Sequence, residues 1–271
     1  ISQQLGIHAN RNTFVRTSAD ISGPINDKLS FSIGGHFRND QGARNTNYQR
    51  FSRGGQLKAN ISRKLNKSNL TLRAKYLDDQ VNRWTGVLAK EWENPQPAYG
   101  QSLRYTAQLA PKMNGSIPDG QGSTYAFDPS KGIHVTEKSI GIHINGPLNK
   151  WRYSNQMKYS AKTASWQTSL ANAKIDLDNP LPYFISGAGF PIGMVVFRNA
   201  VTGAEMARID NTGVLNPTAP SFAYLTPDRL PFDAILGTSA WFKDNENTEF
   251  MNNLALTRTF NHHVVKTGVF V

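Results

Sequence analysis

At 271 residues the chain is long enough for one large domain or two ordinary ones, and 30 Lys and Arg against 19 Asp and Glu give it a formal charge of +11. The absence of cysteine excludes disulfides, thiolate metal sites and thiol nucleophiles. With a mean hydropathy of −0.48, no apolar run approaches the roughly 18 residues of a membrane-spanning helix, which excludes a helical membrane protein but not a barrel whose alternate residues alone meet lipid.

The N-terminus, Ile1 to Gly6, has neither the basic nor the apolar region of a signal peptide. It reads as a strand, as does the segment Lys266 to Val271 at the other end, so the chain is expected to be a portion of something longer. Val15, Thr17, Ala19 and Ile21 form a weak alternation before the turn Gly23-Pro24-Ile25-Asn26-Asp27. From Lys28 to Arg38 the alternation is strong. Leu29, Phe31, Ile33, Gly35 and Phe37 fall on one face; Ser30, Ser32, Gly34, His36 and Arg38 fall on the other. Leu57, Ala59 and Ile61 repeat the pattern against Lys58 and Asn60. After the turn Lys64 to Ser68, Leu70, Leu72, Ala74 and Tyr76 alternate with Thr71, Arg73 and Lys75. Ile140, Ile142 and Ile144 then lead to the turn Gly146-Pro147-Leu148-Asn149-Lys150. Beyond it Trp151, Tyr153, Met157 and Tyr159 alternate with Arg152, Ser154, Gln156 and Lys158, and Asn155 interrupts the apolar face. Leu254 and Leu256 precede a last turn at Phe260 to His262 and a last strand. No segment shows helical periodicity of comparable quality.

The connections are of two kinds. Gly-, Pro- and Asn-rich turns suit tight reversals, and between them lie longer connections over about 39–50, 79–133 and 164–245. In an up-and-down sheet every second connection lies at the same end. One end therefore has tight turns and the other long loops, the asymmetry of outer-membrane barrels with short periplasmic turns and long extracellular loops. Strands of about ten residues also suit a tilted crossing of the hydrocarbon layer. Phe37, Phe51, Tyr76, Trp151, Tyr159 and Phe260 sit near strand ends, where interfacial girdles are expected.

The run Ser22-Gly23-Pro24-Ile25-Asn26-Asp27-Lys28-Leu29 through Gly35 resembles the second strand, first periplasmic turn and third strand of TonB-dependent outer-membrane receptors. Asn145-Gly146-Pro147-Leu148-Asn149-Lys150-Trp151 resembles a second copy of that turn, and His262-His263-Val264-Val265-Lys266-Thr267-Gly268 is similar to later strands of such barrels. The resemblance covers the strand-forming segments and leaves out the two longest loops. It implies a transmembrane, antiparallel, up-and-down β-barrel in the bacterial outer membrane, serving active nutrient import with energy supplied by TonB. A full barrel of this type has about 22 strands, and roughly nine are legible here. The family's N-terminal plug and TonB-contacting box have no counterpart, so the expectation is an N-terminal portion of the barrel, one domain over 1–271. Outer-membrane lipid, the plug of the complete receptor and TonB through that plug are the implied partners, and a surface lipoprotein is a further candidate.

Residues that could carry chemistry are few. Gly187-Ala188-Gly189-Phe190-Pro191-Ile192-Gly193 would need to open a helix to cradle a phosphate, but Pro191 and the strand-like Met194 to Phe197 follow. His262 and His263 are adjacent, as are Asp78 and Asp79, and adjacent strand residues point apart; neither pair suits a metal or a catalytic dyad. Catalysis, cofactors and resident metals are therefore not expected. Lys and Arg are scattered singly, without the basic run of a nucleic-acid surface. Lys58, Arg73, Lys75, Arg152 and Lys158 are expected to face a lumen. The aromatic residues Trp84, Trp92, Tyr99, Tyr105, Trp166, Tyr183, Tyr224 and Trp241 in the long connections are candidate ligand contacts, with packing of the loops' own small cores as the competing role. The rival to the receptor is a soluble, secreted all-β module that binds or acts on carbohydrate. It would bury Leu29, Phe31, Ile33, Ile140, Ile142, Tyr153 and Tyr159 between sheets, where a barrel would turn them outward. A passive porin-like channel is a third alternative.

Overall fold

In the computed structural model the chain is all-β and antiparallel. The structure describes residues 2–7, 12–46, 52–82, 87, 89, 92–97, 102–104, 114–176, 181, 192–199, 202–225 and 234–271, except for the side chains of 171–176 and 234–238. Two compact units emerge. One comprises Ile1–Thr85, Leu103–Ser169 and Ala240–Val271; the other comprises Gly86–Ser102 and Leu170–Ser239.

The main sheet has nine strands, placed side by side in this order: β1 (Ser2–Ile7), β2 (Thr13–Asn26), β3 (Leu29–Asp40), β4 (Ser52–Leu65), β5 (Ser68–Val81), β8 (Gly132–Leu148), β9 (Trp151–Asp176), β13 (Ala234–Phe260) and β14 (His263–Phe270). Each strand lies beside its neighbour in the chain once the small inserted sheets are set aside. That up-and-down order is consistent with a partial barrel whose edges are β1 and β14. The insertions are the hairpin β6 (Gly115–Pro118) and β7 (Thr124–Phe127), and a three-stranded sheet of β10 (Met194–Arg198), β11 (Glu205–Asp210) and β12 (Ala223–Tyr224).

The tight ends have a shared chemistry. The β4–β5, β8–β9 and β13–β14 turns are each two residues long, closed by the pairs Leu65–Ser68, Leu148–Trp151 and Phe260–His263. Each turn opens with an asparagine at positive φ: Asn66 at 39°, Asn149 at 56° and Asn261 at 46°. Asparagine tolerates this region better than other residues with a Cβ. The β2–β3 turn is built differently. The register slips between Pro24 and Asn26, a bulge that accommodates a proline with no N–H to give the ladder, and the Asn26 side chain accepts a hydrogen bond from the Lys28 N–H at 2.9 Å.

Several strands run further than their apolar alternation. β9 continues to Asp176 and β13 begins at Ala234, so Trp166 and Trp241 stand on strands rather than in a loop over 164–245. The reason lies in the side chains. Above Tyr76 and Tyr159 the previously apolar face carries Asp78, Gln80, His134, Thr136, Thr163 and Ser165, whose backbones pair in continuous register. Thr136 and Thr163 even share a hydroxyl–hydroxyl bond of 2.6 Å across the strands.

In the second unit, Ala207 and Ile209 are fully buried, and Phe197 and Met206 pack against Ala207. The buried Asn211 side chain accepts the Gly193 N–H at 2.6 Å. Hydrogen bonds from the Arg208 guanidinium hold the exposed Glu205 carboxyl below its ordinary range.

Candidate functional site

The two faces of the nine-stranded sheet differ in kind. In cross-strand register, Ile21, Ile33, Ala59, Ala74, Ile140 and Tyr159 form one row, and Phe31, Ile61, Leu72, Ile142 and Met157 form the next. All lie on one face by alternation. Ile140 is 65% exposed and Ile142 41%. Ile33, Phe37, Leu57, Ile61, Leu72, Tyr76 and Tyr159 are exposed as well, and Leu29, Phe31 and Tyr153 are half-buried. The buried hydrophobic residues among those described are only Phe127, Ala207, Ile209 and Ala255. The opposite face is polar and better covered, with Glu137, Ser139 and Ser160 all buried. This inverts the arrangement of a water-soluble domain, in which the large apolar side chains go inside.

Aromatic residues bound the apolar face at both ends. Trp151 and Phe260 meet edge to face with centroids 6.3 Å apart, and the Arg258 guanidinium lies 4.1 Å from the Phe260 ring centroid and 5.8 Å from that of Trp151. Phe37, Tyr76 and Tyr159 are at the far end. The rise from Trp151 to Tyr159 along β9 is about 26 Å, close to the roughly 25 Å height of a barrel's apolar band before tilt is allowed for. Phe51, also expected in a girdle, lies outside the described residues.

The polar face surrounds a cavity of about 440 Å³. Lys58, Arg73, Lys75 and Lys158, four of the five residues assigned to a lumen from sequence, line it together with Asn60, His143 and Gln156, and Met251, Asn253 and Phe270 complete its wall. Arg152 shares the same face by alternation but sits opposite Pro147 near the tight turn, away from the cavity. The charges are organised by two glutamates. Glu137 accepts from Lys75 at 2.5 Å and from Lys158 at 3.0 Å, and Glu249 accepts from Lys162 at 2.7 Å. Alternation could have found Glu137, since it continues the Gly141–Ser139 face. The signal is lost because Lys138, on the other face, breaks the apolar pattern there.

Asp78 and Asp79 point apart, as adjacent strand residues must. Asp79 takes a two-pronged bond from Arg38 at 2.7 and 3.2 Å on the polar face, while Asp78 pairs with His134 at 2.8 Å on the other. Among the described residues no group of His, Asp or Glu is placed to hold a metal, and no helix is long and apolar enough to cross a membrane.

Of the candidate aromatic contacts, Trp84, Tyr99, Tyr105 and Tyr183 lie outside the described residues, as do residues 187–191 of the glycine-rich segment. Trp166 and Trp241 are brought together with centroids 6.2 Å apart. Tyr224 meets Phe222 edge to face at 5.9 Å, in the manner of a small local core. Trp92 is 97% exposed. Of the four described candidates, the structure brings Trp166 and Trp241 together as one pair.

No family model matches the sequence, and no curated protein matches it. Among solved structures the chain is similar to two mutant forms of the ferric enterobactin receptor of Pseudomonas aeruginosa. Each is 10% identical over 99% of this chain, with TM-scores of 0.36 and 0.32. The chain spans 42% of the length of those receptor chains.

Proposed function

We propose that this chain is part of the wall of an outer-membrane β-barrel of the TonB-dependent receptor type, supplying lumen surface and ligand-facing loops for active import of a nutrient. The observation that supports this reading is the inverted sheet: a continuous, exposed apolar face between two aromatic rows, backed by a polar face around a cavity. In water, exposed apolar surface of that extent is a liability; in a bilayer it is the surface that meets acyl chains. The plug, TonB acting through it and a surface lipoprotein enter as partners of the complete receptor by resemblance alone. The reading assigns the chain no catalytic role.

The lack of native cysteine makes the test clean. Single cysteines at Ile33, Ile142 and Tyr159, and at Ser32, Gln156 and Ser160, are labelled with an environment-sensitive fluorophore after insertion of the full chain into phospholipid vesicles. A lipid-soluble quencher should reach the first set and spare the second. Equal quenching of both sets, or a chain that stays monodisperse in buffer without amphiphile, would overturn the membrane reading and favour the secreted module.

A further inference from the structure

One charge on the apolar face is left unexplained by the sheet. In register, Leu57, Tyr76, Lys138 and Ala161 form the row directly above Ala59, Ala74, Ile140 and Tyr159. Lys138 is therefore on the outward face, and it is exposed. It forms no ion pair among the described residues. Asp78, diagonal to it across β5 and β8, is taken up by His134 at 2.8 Å and by the Tyr76 hydroxyl at 3.3 Å. An ammonium at the edge of an apolar face needs water or a counter-charge, and the aromatic row where it stands is the height at which a bilayer supplies headgroups.

The surface beside Lys138 is furrowed. A recess of about 480 Å³ is lined by the small side chains of Ala59, Ala74 and Ala161, with Tyr76 and Tyr159 as larger walls and Lys138 at its rim. A second recess, of about 1060 Å³, shares Leu57 and Tyr76 with the first. Gly35 and Gly55 contribute no side chain to it, and Ile21 and Ile33 line its apolar end. At its polar end Arg53, Gln80 and His134 stand in one row. Two apolar furrows thus meet near two basic side chains, Lys138 and Arg53, against one carboxylate that His134 already engages.

We propose that these furrows dock one anionic phospholipid, with an acyl chain in each furrow and the phosphate between Lys138 and Arg53. The proposal rests on the reading of the apolar face as lipid-facing. Charge complementarity selects the headgroup. A choline headgroup carries its own cation, which offsets its phosphate, whereas a phosphate without that cation answers the excess positive charge at the rim. The alanines and glycines let acyl chains lie close to the backbone, a contact that a free phosphate cannot make.

The test uses the full chain in phosphatidylcholine vesicles, with a fluorophore on Ile142→Cys, just below the furrows, or on Val269→Cys, exposed on β14 away from them. Dibrominated phosphatidic acid or dibrominated phosphatidylcholine is added as a minor lipid, and quenching gives their relative affinity at each position. Phosphatidic acid should be preferred at Ile142 by about fivefold for each engaged cation, with no preference at Val269. Lys138→Gln and Arg53→Gln should each lower the preference about fivefold, while Lys138→Arg should keep it. Arg63→Gln, on the same face at the tight-turn end, should leave it unchanged. Unaltered quenching by phosphatidylcholine verifies that each variant is folded. Equal loss in Arg63→Gln, or equal preference at the two positions, means only a diffuse attraction for anionic lipid and overturns the site. Abolition of the preference by inorganic phosphate at constant ionic strength overturns it in favour of a free anion. Quenching at Val269 with none at Ile142 overturns it in favour of a polypeptide covering the furrows. Quenching by both lipids without preference defeats this proposal alone; absence of quenching at either position defeats the membrane reading itself.

Discussion

Asn149 shows how much one residue contributes to the tight end of the sheet. Its φ of 56° is one that a β-branched side chain adopts only with strain, and the two-residue turn leaves no slack to relieve it. Asn149→Val should therefore destabilise the chain by about 1–3 kcal/mol, whereas Asn149→Gly should stay within about 1 kcal/mol of the parent because glycine enters that region freely. Urea unfolding in phospholipid vesicles, read by tryptophan fluorescence, checks both; equal loss in the two variants would mean that the asparagine side chain, not its backbone, secures the turn. The same chemistry recurs at Asn66 and Asn261. These turns were legible in the sequence as Asn-centred reversals. What the sequence could not give was the bulge at Pro24 to Asn26, because a register slip depends on the partner strand.

Between β3 and β4, Gly35 stands opposite Leu57 and Gly55 opposite Phe37, and at both glycines the partner backbone lies close. A Cβ at Gly55 would run into the His36 carbonyl oxygen and the Phe37 Cα, and one at Gly35 would strike the Gln56 carbonyl oxygen. Gly23, on β2, has open space at the same point. Gly55→Val should accordingly cost about 1–3 kcal/mol as an overpacked site, with Gly23→Ala nearly neutral; vesicle unfolding midpoints distinguish the two, and similar shifts would deny that the close approach matters. Element existence was readable wherever one face of a strand is oily: β3, β4, β5, β8 and the first part of β9 all announce themselves through residues such as Phe31, Leu57, Leu72, Ile142 and Tyr159. Legibility ends at Tyr76 and Tyr159. Beyond them Asp78, His134, Thr136 and Thr163 make both faces polar, so the period-2 signal disappears while the backbone ladder continues. The upper part of β13 was missed because Lys243 to Glu249 is polar on both faces and Ala234 to Phe242 places apolar residues on both, so neither stretch alternates; its beginning at Ala234 places Trp241 on a strand. Among the small inserted strands only Met194 to Phe197 had enough apolar β-branched character to be read. The cationic side chains of the cavity followed from alternation, but Glu137 and Glu249 did not. Their lysine partners are far away in sequence and meet them only through strand order.

On the scale of the whole molecule, the apolar face makes a prediction that depends on the solvent around it rather than on contacts within the chain. Ile142 is 41% exposed, so in water Ile142→Lys would remove little packing and cost little. If the face meets acyl chains, the same substitution places an ammonium within the hydrocarbon layer and should cost about 2–4 kcal/mol near the midplane, falling to about 0–1 kcal/mol toward the interfaces. Thr163, on the same face but beyond the Tyr159 row, supplies the interfacial comparison. Thr163→Lys should therefore be nearly silent while Ile142→Lys is strongly destabilising, although both side chains point the same way and neither is buried by protein. Urea unfolding of the two variants in vesicles of the same lipid measures the difference directly. A flat profile, with Ile142→Lys as mild as Thr163→Lys, would mean that the exposed apolar rows are covered by something other than a bilayer, because no packing within this chain's own sheet distinguishes the two positions by burial alone.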